Sequence, residues 1–240
     1  LRRLAAAALV LLLGAVAASA AVDYAAVDAL YFHRNEGDKL AQSLAALDGL
    51  LAQTPDDAGL LWRQGRSLVR RGEKIEKKSE RLAVYVEAEA ALKRATEADP
   101  KSVDAHFWYG VAMGRRGETQ GVLRSLFLIK PIRREMSVVV ALDPRHGGAH
   151  RVLGEILWQV PGFAGGDKKK ALEEYETAVR LDPRYTANYD TLARAYVHFG
   201  RDDDAIRVAK SVADVKDPRD PAAYVDDLAD AQKLLAELAR

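Results

Sequence analysis

Between Thr186 and Pro218 the apolar residues fall on two stripes with helical spacing. Tyr189, Leu192, Ala193 and Tyr196 share one face of a first helix. Gly200 supplies a residue that readily takes the left-handed conformation at a helix end. Ala205 and Ala209 then lie on a second helix, and Pro218 stops the pattern because it lacks a backbone N–H and disfavours helix in the residue before it. The small side chain of Ala193 predicts close approach of the two helices. A single pair of this kind cannot bury both its apolar faces, so the pattern demands neighbours.

The neighbours are upstream. Asp-Pro recurs at Asp99-Pro100, Asp143-Pro144, Asp182-Pro183 and Asp217-Pro218, with Thr54-Pro55 before them. Ahead of each lies a copy of the first-helix pattern. Val27, Leu30, Tyr31 and Arg34 form the first copy, and Leu61, Gln64, Gly65 and Leu68 the second. His106, Tyr109, Gly110 and Met113 form the third, and His150, Leu153, Gly154 and Leu157 the fourth. Second-helix copies begin at Ser43, Ala88 and Ala171. The small residue precedes the closing proline by 35, 34 and 29 positions in units two to four, against about 24 in a plain repeat of this kind. Those units therefore carry insertions. The one after Gly72, Glu73 to Arg81, is almost wholly charged and predicts a second helix lengthened into solvent. The one in unit three gathers Val122, Leu123, Leu126, Phe127, Leu128 and Ile129 ahead of Pro131, which is expected to begin or kink a helix. These apolar residues either pack under the next unit or form a partner contact. Pro161, Gly162, Gly165 and Gly166 mark a loop in unit four, with Asp167 placed to cap the helix after it. A last helix, from about Ala222 to Ala239, has the polar residues of a terminal cap.

Taken together, residues 21–240 resemble tetratricopeptide-repeat proteins. The fold class expected is all-α: a right-handed α-solenoid of about five helix pairs plus a C-terminal capping helix. The stretch His106-Phe-Trp-Tyr-Gly110, Ile129-Lys-x-x-Ile132, Ala141-Leu-Asp-Pro144 and His150-x-x-Leu-Gly-Glu-x-x-Trp158 resembles the regulator-of-microtubule-dynamics type of helical-repeat domain. The loop Pro161-Gly-Phe-Ala-Gly-Gly-Asp-Lys-Lys-Lys-Ala171 is similar to that of periplasmic tetratricopeptide components of tripartite carboxylate transporters. These resemblances imply a solenoid that binds partners without catalysis.

Composition narrows the function. Lys and Arg number 36 against 35 Asp and Glu, which argues against bulk nucleic-acid binding. The absence of cysteine excludes disulfides, thiolate metal sites, cysteine nucleophiles and a lipoprotein acyl anchor. Residues 1–20 read as a signal peptide: Arg2 and Arg3, an apolar run from Leu4 to Val16, and Ala18-Ser19-Ala20 for cleavage. The apolar run is short of the roughly 20 residues that span a bilayer. A periplasmic or secreted location follows, without a stable membrane anchor once the leader is removed, and away from tubulin.

The chemistry searched for gives little. His146 and His150 are four apart, but Gly147 and Gly148 intervene where a helix is only starting, and no catalytic Glu accompanies them. They read as structural, and no metal, cofactor or catalytic residue is expected. The inner face is more informative. Counting from each unit's register, its exposed positions are Trp62, Arg66, Arg70, Phe107, Arg115, Arg151, Glu155, Trp158, Arg194 and His198. Arginine forks suit carboxylates and aromatics suit apolar side chains, so this set would hold a protein or peptide with an acidic or carboxylate end. Alternatively Trp62, Phe107 and Trp158 are ordinary packing between units. A different reading is a small-molecule carboxylate carrier associated with transport.

The leader makes one expectation of its own. The exported protein should begin at Ala21 or within a few residues of it. N-terminal sequencing checks this, and an intact leader held in the membrane would contradict it.

Overall fold

The computed structural model describes residues 22–240, apart from the side chains of Val122 and Leu123. The leader and the cleavage point at Ala21 lie outside the described residues. So do the side chains of two members of the apolar insertion.

The described residues form helices and no strand, in five successive pairs and a final helix. The pairs are α1 (Tyr24–Phe32) with α2 (Lys39–Leu51), and α3 (Ala58–Glu73) with α4 (Lys78–Ala98). In the third, α5 (Val103–Gln120) pairs with α7 (Ile129–Leu142), and the short α6 (Val122–Leu126) lies between them. Then come α8 (Gly147–Gln159) with α9 (Lys168–Leu181), and α10 (Ala187–His198) with α11 (Asp202–Ser211). Helix α12 (Pro221–Leu238) ends the solenoid.

Local chemistry sets these boundaries. Asp57, Ser102 and Asp167 each accept a hydrogen bond from a backbone N–H in the first turn of α3, α5 and α9. His146 does the same for α8 through Nδ1, which accepts from the Ala149 N–H at 3.1 Å. Asp99 and Asp143 are extended where α4 and α7 stop ahead of their prolines. Gly37 and Gly200 take φ of +53° and +68° in the turns of the first and fifth pairs. Pro131 is the third residue of α7, in the first turn, where its missing N–H leaves no helical bond unmade.

Each small signature residue faces its partner helix. A Cβ on Gly154 would stand 2.5 Å from Cε1 of Tyr175 and 3.1 Å from the Ala171 carbonyl oxygen. Gly65 meets Leu92 and Gly110 meets Met136 in the same way. The core built on these approaches has two large parts. Leu68, Leu92, Trp108, Met136 and Ile156 belong to one, and Tyr175, Tyr189, Leu192, Ala205 and Leu234 to the other.

Three local expectations are corrected. Gly72 is not the turn of the second pair: it lies within α3 against the Tyr85 ring, and the turn comes after Glu73. The charged insertion does lengthen the second helix, which runs 21 residues. Leu153 is only half-buried, because the neighbouring Val152 takes the buried position. The fifth pair ends at Ser211, ahead of a 3-10 turn at Val212–Asp214, so Asp217-Pro218 lies in a linker. There Asp217 adopts φ +52° and its carboxylate pairs with Arg184 at 2.5 Å.

That linker brings the two ends of the solenoid together. Asp220 caps α12 by accepting from the Ala223 N–H and also receives both guanidinium nitrogens of Arg34, at 2.6 and 2.9 Å. Asn35 donates to the Ala222 carbonyl at 2.9 Å. Arg34 and Asp220 are both buried. Burial by itself would raise the Asp220 carboxyl, but hydrogen bonds and charge from Arg34, with Arg70, hold it below the usual carboxylate range.

Removing one side of such a pair leaves the other charge buried, so Asp220→Ala should cost about 3–5 kcal/mol in urea unfolding. Leu192→Ala should cost about 2–5 kcal/mol as a cavity. Gly154→Leu should cost more than about 1 kcal/mol by overpacking against Tyr175. Parent-like melting of the last two would mean the helix pairs are out of register.

Candidate functional site

The first helices of neighbouring pairs touch one another along the whole chain: α1 with α3, α3 with α5, α5 with α8, α8 with α10, and α10 with α12. Among the described residues, the second helices make no comparable mutual contacts. Curvature follows from that asymmetry, and the first helices line the inner face.

On this face, arginines from three successive first helices converge. Arg66 donates from Nη2 to Asp28 at 2.6 Å and lies 3.5 Å over the Tyr31 ring. Trp62, half-buried, stacks beside both Arg63 and Arg66. Arg70 donates to the Tyr31 hydroxyl at 3.3 Å and to Glu73 at 3.0 Å, with Asp220 at 3.7 Å. Glu73 bridges onward to Arg115 at 3.1 Å, and Arg115 also meets Glu118 at 3.1 Å. Arg151 is bound to Glu155 one turn away and hydrogen-bonds Tyr185. Burial opposes charge on Arg70, Arg115 and Arg151, yet their carboxylate and tyrosine partners outweigh it and raise all three. Glu73 is held low for the complementary reason: burial raises it, and Arg70 with Arg115 overcomes that. Opposite this row, Asp227 of α12 accepts from the Thr186 hydroxyl at 2.6 Å, and burial raises its carboxyl.

Arg66, Arg115 and Arg151 each keep a buried Nε with no acceptor among the described residues. Their forks are fixed by the chain's own acids through the terminal nitrogens while these inner donors remain unspent. Arg115 is the most accessible, its side chain 41 % exposed.

The rest of the expected set divides. Phe107 is not an exposed groove residue. It is buried in the core, edge-on to Trp108 and 4.6 Å from the His146 ring. Arg66 is likewise buried rather than exposed, because Asp28 and Tyr31 cover it. Arg194 stands apart from the others, exposed and paired with Asp190 at 2.8 Å. Trp158 and His198 form a second cluster where α8 and α10 end, with ring centroids 4.9 Å apart and the Lys168 ammonium 5.0 Å over Trp158.

The two histidines of the fourth unit face different partners. His146 sits in the core, and burial, then the charge of Arg219, lowers it to about 4. His150 pairs with Glu174 at 2.8 Å. His106 likewise joins Glu135 at 2.6 Å and the Pro100 carbonyl at 3.1 Å.

Several members of the site escaped the inner-face register. Arg34 carried a signal: it stands where the other units have Leu68, Met113, Leu157 or Tyr196, and a charge at a buried position needs a buried partner. Asp220 carried another, as a second Asp-Pro three residues after the first.

Comparison with known proteins agrees with this architecture. Residues 24–161 match the family model described as regulator of microtubule dynamics protein 1-3, and residues 163–223 match that of the tetratricopeptide repeat. Regulator of microtubule dynamics protein 3 of Bos taurus is 25 % identical over 198 residues, 74 % of this chain and 41 % of its own length. Regulator of microtubule dynamics protein 1 of Pongo abelii is 26 % identical over 160 residues, 59 % of this chain and 51 % of its own. The chain thus spans about half or less of the length of these relatives. In fold it is similar to a thermophilic tetratricopeptide protein of Thermus thermophilus, with a TM-score of 0.64 and 16 % identity over 82 % of this chain and 91 % of that one. The fold is that of a protein-interaction scaffold. With more than half its residues matched, the chain belongs to the regulator-of-microtubule-dynamics family of helical-repeat proteins.

Proposed function

We propose that this protein is a non-catalytic, exported scaffold whose inner face holds an acidic or carboxylate-ended segment of a partner protein. The observation that carries the reading is the convergence of Arg66, Arg70, Arg115 and Arg151 beside Trp62 on one side of the solenoid. Arginines held rigid by neighbouring acids lose little entropy on engaging a further carboxylate. The apolar flank of such a segment meets Trp62 and the half-buried Trp158. The leader-like residues 1–20 support export. The relatives are named for microtubule dynamics; an exported chain would meet a different partner.

A cleft of about 480 Å³ beside the seam, lined by Phe32, Asp182, Arg184, Asp217, Pro218, Arg219 and Pro221, is the place to look for a small carboxylate. Its two arginines are already paired with Asp217 and Asp182.

Arg151 is too buried beside Glu155 for charge reversal to report on binding alone, so Arg115 is the residue to change. Immobilised acidic peptides with a free C-terminal carboxylate should retain the protein, and added salt should weaken retention. Arg115→Glu should lower affinity by roughly tenfold or more when measured below the variant's own melting transition. Equal retention by amidated peptides, or by Arg115→Glu, would overturn the reading.

A further inference from the structure

The two most exposed large apolar side chains lie outside the inner face. Phe127 is 83 % exposed and Phe163 96 % exposed. Each stands in the connection between the first and second helix of its pair, the third and the fourth. Because α5 and α8 are successive first helices side by side, their C-terminal ends, and both connections, lie at one edge of the solenoid. Leu128 and Val160, which flank the two phenylalanines, share one core beneath that edge. The rings themselves stand on tips.

The surrounding charge is one-sided. Residues 119–134 contain Arg124, Lys130, Arg133 and Arg134 and no acid. All four are exposed, and none forms a salt bridge among the described residues, whereas the inner arginines are all paired. Lys168, Lys169 and Lys170 are exposed at the start of the helix that follows Phe163, and of them only Lys170 has a carboxylate within reach among the described residues, Asp167 at 3.6 Å. Helix stability does not call for these cations. Lys130 and Lys168 to Lys170 occupy the first turns of α7 and α9, where the macrodipole favours acids, and α11 in the same position carries Asp202, Asp203 and Asp204.

We propose that the edge bearing Phe127 and Phe163 is a peripheral docking surface for an anionic phospholipid bilayer. Aromatic tips flanked by Lys and Arg match the boundary between acyl chains and charged headgroups. A protein partner would have to supply a pocket for each tip, whereas a bilayer accepts both without one. No described helix is long and apolar enough to cross a membrane.

The test uses the full chain with vesicles of phosphatidylcholine, with and without phosphatidylglycerol. Phe127→Ser with Phe163→Ser should reduce co-sedimentation with phosphatidylglycerol vesicles by roughly tenfold or more. Lys168→Glu, Lys169→Glu and Lys170→Glu together should erase the preference for them. Residues 4–16 are apolar themselves, so a local probe is needed as well. The chain has no cysteine. A polarity-sensitive dye on Phe127→Cys or Phe163→Cys should therefore report an apolar environment on vesicle addition, while the same dye on Val225→Cys, at an exposed position of α12, should not. Dyes at 127 and 163 that stay in water overturn the proposal even if the protein sediments. So does unchanged binding by the double serine variant, or an edge that captures acidic proteins but no vesicles.

Discussion

Everything in this solenoid depends on how closely the two helices of a pair approach. At Gly65, Gly110 and Gly154 the partner's Leu92, Met136 and Tyr175 occupy the space a side chain would fill. That contact sets the angle of each pair, and the angle sets where the first helices point. Because first helices then meet one another while second helices diverge, the chain curves. Hydrophobic burial supplies the driving force, but it is non-directional. The small residues give it a geometry.

Curvature in turn concentrates charge. Arginines one register apart along a flat array would be solvated separately. On the inner face they are brought within reach of Tyr31, Glu73 and Asp220, and they exist there only because each found a carboxylate. Pairs of this kind contribute little net stability compared with apolar residues of the same size, yet each is costly to break from one side. Their value is positional. They hold guanidinium forks in fixed directions, something lysines on flexible stems would not do.

The repeat architecture was legible because it rests on spacing: small residues, Asp-Pro steps and stripes survive in degenerate copies. The site was only half legible. Register alone makes Arg66, Arg70, Arg115 and Arg151 exposed positions on one side; in the structure Arg66 is buried and the other three are half-buried. It does not separate an exposed aromatic from a core one, so register alone points Phe107 outward although His146 and Trp108 enclose it. Nor does a local pattern reveal contacts between residues 186 positions apart, such as Arg34 with Asp220. That contact is a product of accumulated curvature, a property of the sum of the pairs. The exposure of Phe127 was open in the sequence because six apolar neighbours could not all be placed; Leu128 packs inward and Phe127 does not.

The Arg34–Asp220 contact changes what kind of polymer this is. A linear array of repeats unfolds as a one-dimensional lattice: its terminal units have a single neighbour, so melting starts at the ends and moves inward. Here the first and last units are neighbours too. The lattice has periodic boundary conditions, and fraying from either terminus must first break a buried bidentate ion pair. Loss at one end is felt at once at the other, which favours all-or-none melting over stepwise peeling.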